Sequence, residues 1–177
     1  MKGKQLFTFT LFGLLISAVS IAQKNTKLTD PEIASVAVTA NQIDIQAAQQ
    51  AQKKSKNAAV LDFAKTMIND HQSVIDKAVA LVKKLGVTPK DNSLSRQLSA
   101  NAKKTMAKLE AKSGAAYDKA YVSNEVAYHK AVIATVKNKL VPESQNSELK
   151  SLLQSVLPVL NSHLQHAEMV QKQLSKK

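Results

Sequence analysis

The chain has 177 residues, with 25 Lys and Arg against 13 Asp and Glu, a formal net charge of +12, and no Cys. The absence of Cys excludes disulfides, thiolate metal ligands and cysteine nucleophiles. Only four Gly and four Pro occur, a composition that argues against all-β and glycine-loop nucleotide folds and favours helices.

The first 22 residues have the three parts of a secretory signal peptide. Lys2 and Lys4 form a basic start, residues 6–19 are almost all apolar, and Ser20 and Ala22 supply the small residues of a cleavage site. The apolar run is shorter than the roughly 20 residues of a membrane span. We expect cleavage after Ala22, a single mature domain of residues 23–177 without a transmembrane span, and a periplasmic or secreted location. An uncleaved N-terminal anchor is the alternative.

Helical periodicity predicts five helices in the mature chain. The first opens with a capping box, in which Thr29 is the N-cap and Glu32 lies three residues on. It is predicted to run to about residue 54. The next three helices are predicted to span about 58–85, 94–112 and 115–139, and the fifth begins at about residues 144–147 and continues to the C-terminus. Gly86 is a plausible C-cap of the second helix.

The helix boundaries predict the architecture. Asp91 or Ser93 is expected to cap the third helix, Pro142 to end the fourth, and Pro158 to bend the last. Four long helices joined mostly by short loops predict an all-α fold, an antiparallel four-helix bundle. The more basic third helix is then one extra helix in the crossover between helix pairs.

Each of the four long helices carries ionisable residues on its apolar stripe, near mid-length. These are Asp44, His71, Glu125 with His129, and His163. Bundle cores build sites from side chains on facing helices, and imidazoles with one or two carboxylates suit zinc, copper, nickel or iron better than magnesium or calcium. We therefore predict that these five residues bind a transition metal or a small ligand. The alternative is that the histidines are neutral core groups bonded to carbonyls.

The height of each residue, which is its position along the bundle axis, can be compared at a helical rise of 1.5 Å per residue. Asp44 lies about 18 Å before the first corner and His71 about 22 Å after it, so these two can meet. His129 lies about 19 Å before Pro142 and His163 about 28 Å beyond it. Glu125, at about 25 Å, is predicted to match His163 better than His129 does.

Tyr117, Tyr121 and Tyr128 lie close to one line of the predicted fourth helix. We expect their rings to pack inside, with the hydroxyls at the rim of the bundle. Asp118 lies near the helix start, where a negative charge is stabilising, and is assigned no other role.

Three segments resemble the signatures of a known family. They are residues 63–71, which end in Asp70-His71; residues 117–121, followed by His129; and residues 157–164, which contain His163. In this order they are similar to the bacterial domain of unknown function 4142 family, and the resemblance covers about residues 30–174. It implies export and a ferritin-like helical bundle.

The pattern departs from that of di-iron ferritin-like proteins, which carry a Glu-x-x-His motif on each of two helices. Ile68 and Val126 stand three residues before His71 and His129, so di-iron oxygen chemistry is not expected. Asp44 stands where the resemblance places a Glu. No serine-nucleophile elbow or two-carboxylate cleft is predicted either, so no enzyme activity is assigned.

Basic residues concentrate in residues 96–112, which hold five Lys and Arg against one Glu. A second hypothesis is therefore a non-catalytic envelope or stress-related interaction protein. It would use this surface on anionic envelope components, and its inward histidines would be purely structural. Nucleic acid is not expected as a partner, because neither a nucleic-acid motif nor an aromatic platform is present.

Overall fold

The computed structural model describes residues 27–176, and the regular structure in this part of the chain is helical, with no strand. The helices are α1 (Asp30–Lys54), α2 (Ala58–Lys84), α3 (Ser93–Glu110), α4 (Gly114–Thr135), α5 (Val141–Glu143) and α6 (Ser147–Ser175), with a π-helical turn at Val136–Leu140. The predicted signal peptide, residues 1–22, lies outside the described residues. Within residues 27–176 no helix is long and apolar enough to cross a membrane.

The helix starts are specified by local side chains. Asn57, Asn92 and Asn146 each accept hydrogen bonds from the two backbone amides that lie two and three residues further on. Such amides have no partner inside the helix, so the caps stabilise each start. At α1 the Glu32 carboxylate accepts from the Thr29 backbone amide, as the predicted capping box requires.

The cap of α3 differs from the prediction. Asn92 is the N-cap, whereas Asp91 accepts from the Ser95 hydroxyl and from Arg96. The side chain of Asn92 also donates to the Glu32 carbonyl oxygen. This residue therefore ties α3 to the first turn of α1 as well as starting α3.

The prediction that Pro142 ends the fourth helix is wrong. The π-helical turn continues α4 directly into α5, and Pro142 lies in the first turn of α5. Within this continuous helix proline cannot donate a backbone hydrogen bond to the preceding turn, and that turn is the π-helical one. The chain turns only at residues 144–146.

This later corner changes the heights of the ionisable residues. His129 lies about 21 Å before Glu143, and His163 about 24 Å after Ser147. His129 and His163 are therefore level, and the predicted offset between them, measured from Pro142, is wrong.

Each of the four long helices packs against two others: α1 contacts α2 and α4, and α6 contacts α2 and α4. Helix α3 packs mainly against α1. Two apolar clusters fill the interior, one around Phe63, Met67 and Tyr121 and the other around Ile33 and Leu153. Asp44, His71, His129 and His163 each lie between the segments of their helix that build these two clusters, whereas Glu125 lies within the α4 segment of the first cluster. The polar centre therefore lies at the boundary between two apolar cores.

Candidate metal centre

Four helices bring the five predicted site residues to one buried level. The residues are Asp44 on α1, His71 on α2, Glu125 and His129 on α4, and His163 on α6, and none is more than 4% exposed. Each lies on the inward face of its helix because the apolar spacing around it is that of a helix stripe.

The three imidazoles contact one another. Their ring centroids are 5.8 Å apart for His71 and His129, 5.1 Å for His71 and His163, and 5.5 Å for His129 and His163. One nitrogen from each ring lies within 4.8 Å of the other two. Ligand atoms of Asp44, Glu125 and His129 form a second set within the same limit.

The Asp44 carboxylate lies between two of the rings. Its Oδ2 atom is 3.3 Å from Nε2 of His71 and 3.5 Å from Nε2 of His129. Burial by itself would raise the pKa of Asp44, but the positive charge that the nearby imidazoles carry when protonated, chiefly that of His71, outweighs burial and lowers that pKa below its usual value. The carboxylate is thus held in its charged form next to the histidines.

Each imidazole is oriented by an acceptor on its outer side. His71 donates from Nδ1 to the Asn41 side-chain oxygen at 2.7 Å, and His129 donates from Nδ1 to the Glu125 backbone carbonyl at 2.9 Å. His163 donates from Nε2 to Asp70 at 2.9 Å. Because each acceptor takes the ring proton, the opposite nitrogen of each neutral ring carries a lone pair.

Those opposite nitrogens are buried and have no hydrogen-bond partners. Among residues 27–176, none is found for Nε2 of His71, Nε2 of His129, Nδ1 of His163 or either oxygen of Asp44. A buried polar atom without a partner costs about 1–3 kcal/mol. The cluster therefore brings together several buried hydrogen-bond acceptors that have no donor.

Glu125 differs electrostatically from Asp44. Its Oε1 atom accepts from the Asn124 side chain at 3.2 Å, and its Oε2 atom lies 3.8 Å from Nδ1 of His129. Burial raises the pKa of Glu125 well above its usual value, and the nearby Asp44 charge adds to this. Burial also lowers the pKa of both His129 and His163. The surroundings thus favour neutral imidazoles at His129 and His163 and a neutral Glu125, beside a charged Asp44.

Sequence reasoning missed Asn41 and Asp70, the outer partners of His71 and His163. Asp70 had a signal, since it is the acid of the Asp70-His71 pair in the resemblance. Asn41 lies one turn before Asp44, and its own amide donates to the Ala37 carbonyl, which turns its oxygen toward His71. That orientation could not be read from spacing.

The tyrosine prediction is wrong for Tyr121. This residue is fully buried, and its hydroxyl has no hydrogen-bond partner in the described part of the chain. Its neighbour Asp118 is buried too, because α4 is covered by other helices even near its start. The Tyr128 hydroxyl donates to the Ala40 carbonyl oxygen at 2.8 Å, and the Tyr117 hydroxyl donates to the Gln50 side-chain oxygen at 3.4 Å.

The remaining histidine, His166, lies outside the cluster. It is partly buried on α6 and meets the Phe63 ring edge-on at a centroid distance of 5.1 Å. His166 therefore lies on the same helix as His163 but is not part of the cluster.

Comparison with solved structures finds a similar fold in a protein described as CopM in the Cu(II)-bound form. The two chains are 11% identical, with a TM-score of 0.62, and the match covers 84% of this chain and 99% of that one. At this identity the likeness shows the fold alone. Comparison with curated proteins finds no match.

A family model described as a domain of unknown function, DUF4142, matches residues 17–170. The match spans most of the chain and includes all three segments that carry the resemblance in the sequence. The chain therefore belongs to the DUF4142 family.

Proposed function

We propose that this protein is an exported, ferritin-like antiparallel four-helix bundle that binds a transition-metal ion in its core. His71, His129 and His163 are the principal ligands, Asp44 is the fourth, and Glu125 supports the centre beside His129. The observation that carries the proposal is the orientation of the three imidazoles. Each donates from one nitrogen to an outer acceptor and keeps a second, buried nitrogen without a partner.

The spacing of the candidate ligand atoms supports one coordination sphere. Ligands bound at 2.0–2.1 Å in a tetrahedron lie about 3.4 Å from one another. Asp44 Oδ2 is 3.3 Å and 3.5 Å from the Nε2 atoms of His71 and His129. Side-chain rotation would bring His163 into the same sphere, since one of its ring nitrogens lies within 4.8 Å of a nitrogen of each of the other two rings.

The donor set selects the class of metal. Three imidazoles and a carboxylate suit copper, zinc, nickel or iron, whereas magnesium and calcium prefer oxygen ligands. The similar fold of CopM, a structure described as Cu(II)-bound, makes copper the first ion to test. The likeness shows the fold alone, so experiment must identify the ion.

The metal test uses the mature chain, residues 23–177. After incubation with Cu(II) or Zn(II) and removal of unbound ion by gel filtration, we expect one ion per chain by elemental analysis. His71→Ala should lose the ion, and His166→Ala, which alters a histidine outside the cluster, should keep it. Wild-type protein without metal, or a His71→Ala variant with as much metal as wild type, would contradict the proposal. Circular dichroism checks that both variants are folded.

Export has a separate test. The intact mass of the protein recovered from the periplasm or medium of an expressing bacterium should equal that of residues 23–177. A mass that retains residues 1–22 would show an uncleaved N-terminal segment.

A second candidate function is electrostatic binding of an anionic envelope surface through α3. Lys103, Lys104 and Lys108 are exposed on this helix. In this alternative the core histidines are only structural. Structural polar groups in a core are normally fully hydrogen-bonded, so the unpartnered nitrogens argue against it. Sedimentation with vesicles of anionic lipid, but not of zwitterionic lipid, and its loss at high salt would support the surface role.

A further inference from the structure

A cavity of about 280 Å³ lies beside the histidine cluster, among the long helices and α3. Its walls are mostly aliphatic and include Val36, Val74, Ala78, Val132, Val156 and Leu160. The same cavity is lined by Asp44 and by the three cluster histidines. The polar centre therefore forms part of the wall of an otherwise apolar space.

The size of the cavity exceeds ordinary packing defects. Protein interiors contain few voids larger than a water molecule, and an apolar cavity of about 150 Å³ accommodates benzene. A cavity nearly twice as large has room for a molecule of about ten to twelve non-hydrogen atoms. Its aliphatic walls offer few hydrogen-bond partners, so the body of a suitable ligand must be apolar.

The polar end of such a ligand must suit a metal ion held by the cluster. Because Asp44 and the three histidines line the cavity, the polar end of a molecule inside it can reach that ion. A carboxylate is negatively charged and is itself a metal ligand. Without the ion, an incoming carboxylate would meet Asp44 in a buried site, where repulsion between like charges is strong.

We propose that the metal-loaded centre binds a medium-chain carboxylate, with its alkyl chain in the aliphatic cavity and its carboxylate at the metal. This inference rests on the proposed metal function and names the ligand class of the same site. Because metal and carboxylate bind next to each other, each increases the affinity of the other by the same factor. An alkanol of equal length lacks the charge and gains little from the ion.

The test measures binding of decanoate, below the concentration at which it forms micelles, by equilibrium dialysis. The samples are wild-type chain of residues 23–177 with and without Cu(II), and two variants that fill the cavity, Ala78→Leu and Val156→Phe. Each substituted position lies seven residues from the nearest cluster histidine, on α2 and on α6. The copper content of every sample is measured in parallel, and decanol serves as the uncharged comparison.

We expect decanoate to bind the copper-loaded chain at least tenfold more tightly than the metal-free chain. The filling variants should keep one copper ion but bind decanoate at least tenfold more weakly. The affinity for decanol should be similar in the copper-loaded and metal-free chain. Equal binding to loaded and metal-free chain, no binding to the loaded chain, or unchanged affinity in both filling variants would overturn the inference alone. A wild-type chain that holds no copper or other transition metal would overturn the proposed function as well.

Discussion

The orientation of single side chains decides what the histidine cluster can bind. The unpartnered nitrogen is Nε2 in His71 and His129 but Nδ1 in His163, because the Nε2 atom of His163 donates to Asp70. An imidazole that could rotate freely would lose entropy on binding a metal. The outer acceptors therefore prepare the rings for coordination before any ion arrives.

Asp70 is expected to tune metal affinity without being a ligand. Removal of the outer partner of a ligating histidine typically weakens metal binding 10- to 100-fold. We expect this loss in Asp70→Ala, because His163 loses the acceptor that fixes its ring, and competition titration with a chelator measures it. Asp62→Ala, which removes an exposed carboxylate of the same helix, should leave the affinity unchanged. Wild-type affinity in Asp70→Ala would show that the contact is incidental.

Glu125 is expected to make the stability of the metal-free chain depend on pH. Because burial raises the pKa of Glu125 in the folded chain, the folded state keeps a proton that the unfolded state releases above about pH 4.5. The free energy of unfolding then falls as pH rises from this value toward the raised pKa. Glu125→Gln removes this loss, so its stability relative to wild type should increase between pH 4 and pH 7.5.

Chemical denaturation of the metal-free proteins at the two pH values measures this difference. Asp44 and His129 face Glu125, and both remain in the variant. A stability difference between Glu125→Gln and wild type that is the same at pH 4 and pH 7.5 would mean that Glu125 is not a buried neutral acid.

At the scale of the helices, the first turn of α1 organises the start of α6. The Asp30 carboxylate accepts hydrogen bonds from the backbone amides of Gln145 at 2.9 Å and Asn146 at 2.8 Å, and from the Ser144 hydroxyl at 3.2 Å. These contacts position the corner from which α6 begins. The height of His163 on α6 depends on where that corner lies.

Asp30→Ala is expected to lower the free energy of unfolding by about 1–3 kcal/mol, since it leaves amides of the corner without a partner. Denaturant unfolding measures the effect. Glu148→Ala, which removes a surface ion pair with Lys84, should change stability by less than about 1 kcal/mol. An effect of Asp30→Ala no larger than that of Glu148→Ala would mean that the corner is held by packing alone.

The π-helical turn is the second feature of the helices that positions the centre. It allows the helical path to continue past Leu140 to Glu143, and the fourth and last helices therefore meet at a corner further from His129. Counted from that corner, His129 and His163 stand at nearly equal heights. A helix that ended before Pro142 would have left the two imidazoles more than one turn apart.

For the whole molecule, the centre joins all four long helices at the boundary between two apolar clusters. An ion bound there would link these helices and would be lost on unfolding. Binding to the folded state alone raises the free energy of unfolding by about 2.7 kcal/mol when the free ligand is at 100 times its Kd. Metal binding should therefore appear as a large gain in thermal stability.

We expect Cu(II) to raise the Tm of the wild-type chain and to leave the Tm of His129→Ala unchanged, as measured by thermal unfolding monitored by circular dichroism. His166→Ala, with its intact centre, should show the wild-type increase. An equal increase in His129→Ala would indicate that copper binds elsewhere on the surface. A decrease in all three proteins would indicate preferential binding to the unfolded chain.

The sequence by itself determined the number and order of the long helices and the inward direction of the ionisable residues. Helical periodicity and local caps act over a few residues, so α1 and α2 match their predicted bounds closely, and Asp44 and His71 fall on buried faces. The motifs around His71, His129 and His163 also sufficed to identify the family.

Only the tertiary structure decided how these residues meet. The π-helical turn set the height of His129, and helix packing left an aliphatic cavity beside the histidines. The contacts with Asn41 and Asp70 decided which ring nitrogens of His71 and His163 stay unpartnered. The physical reason is the distance along the chain over which each kind of interaction acts. Periodicity specifies the face of a helix on which a residue lies, whereas relative height, ring orientation and cavity volume depend on contacts between residues far apart in the chain.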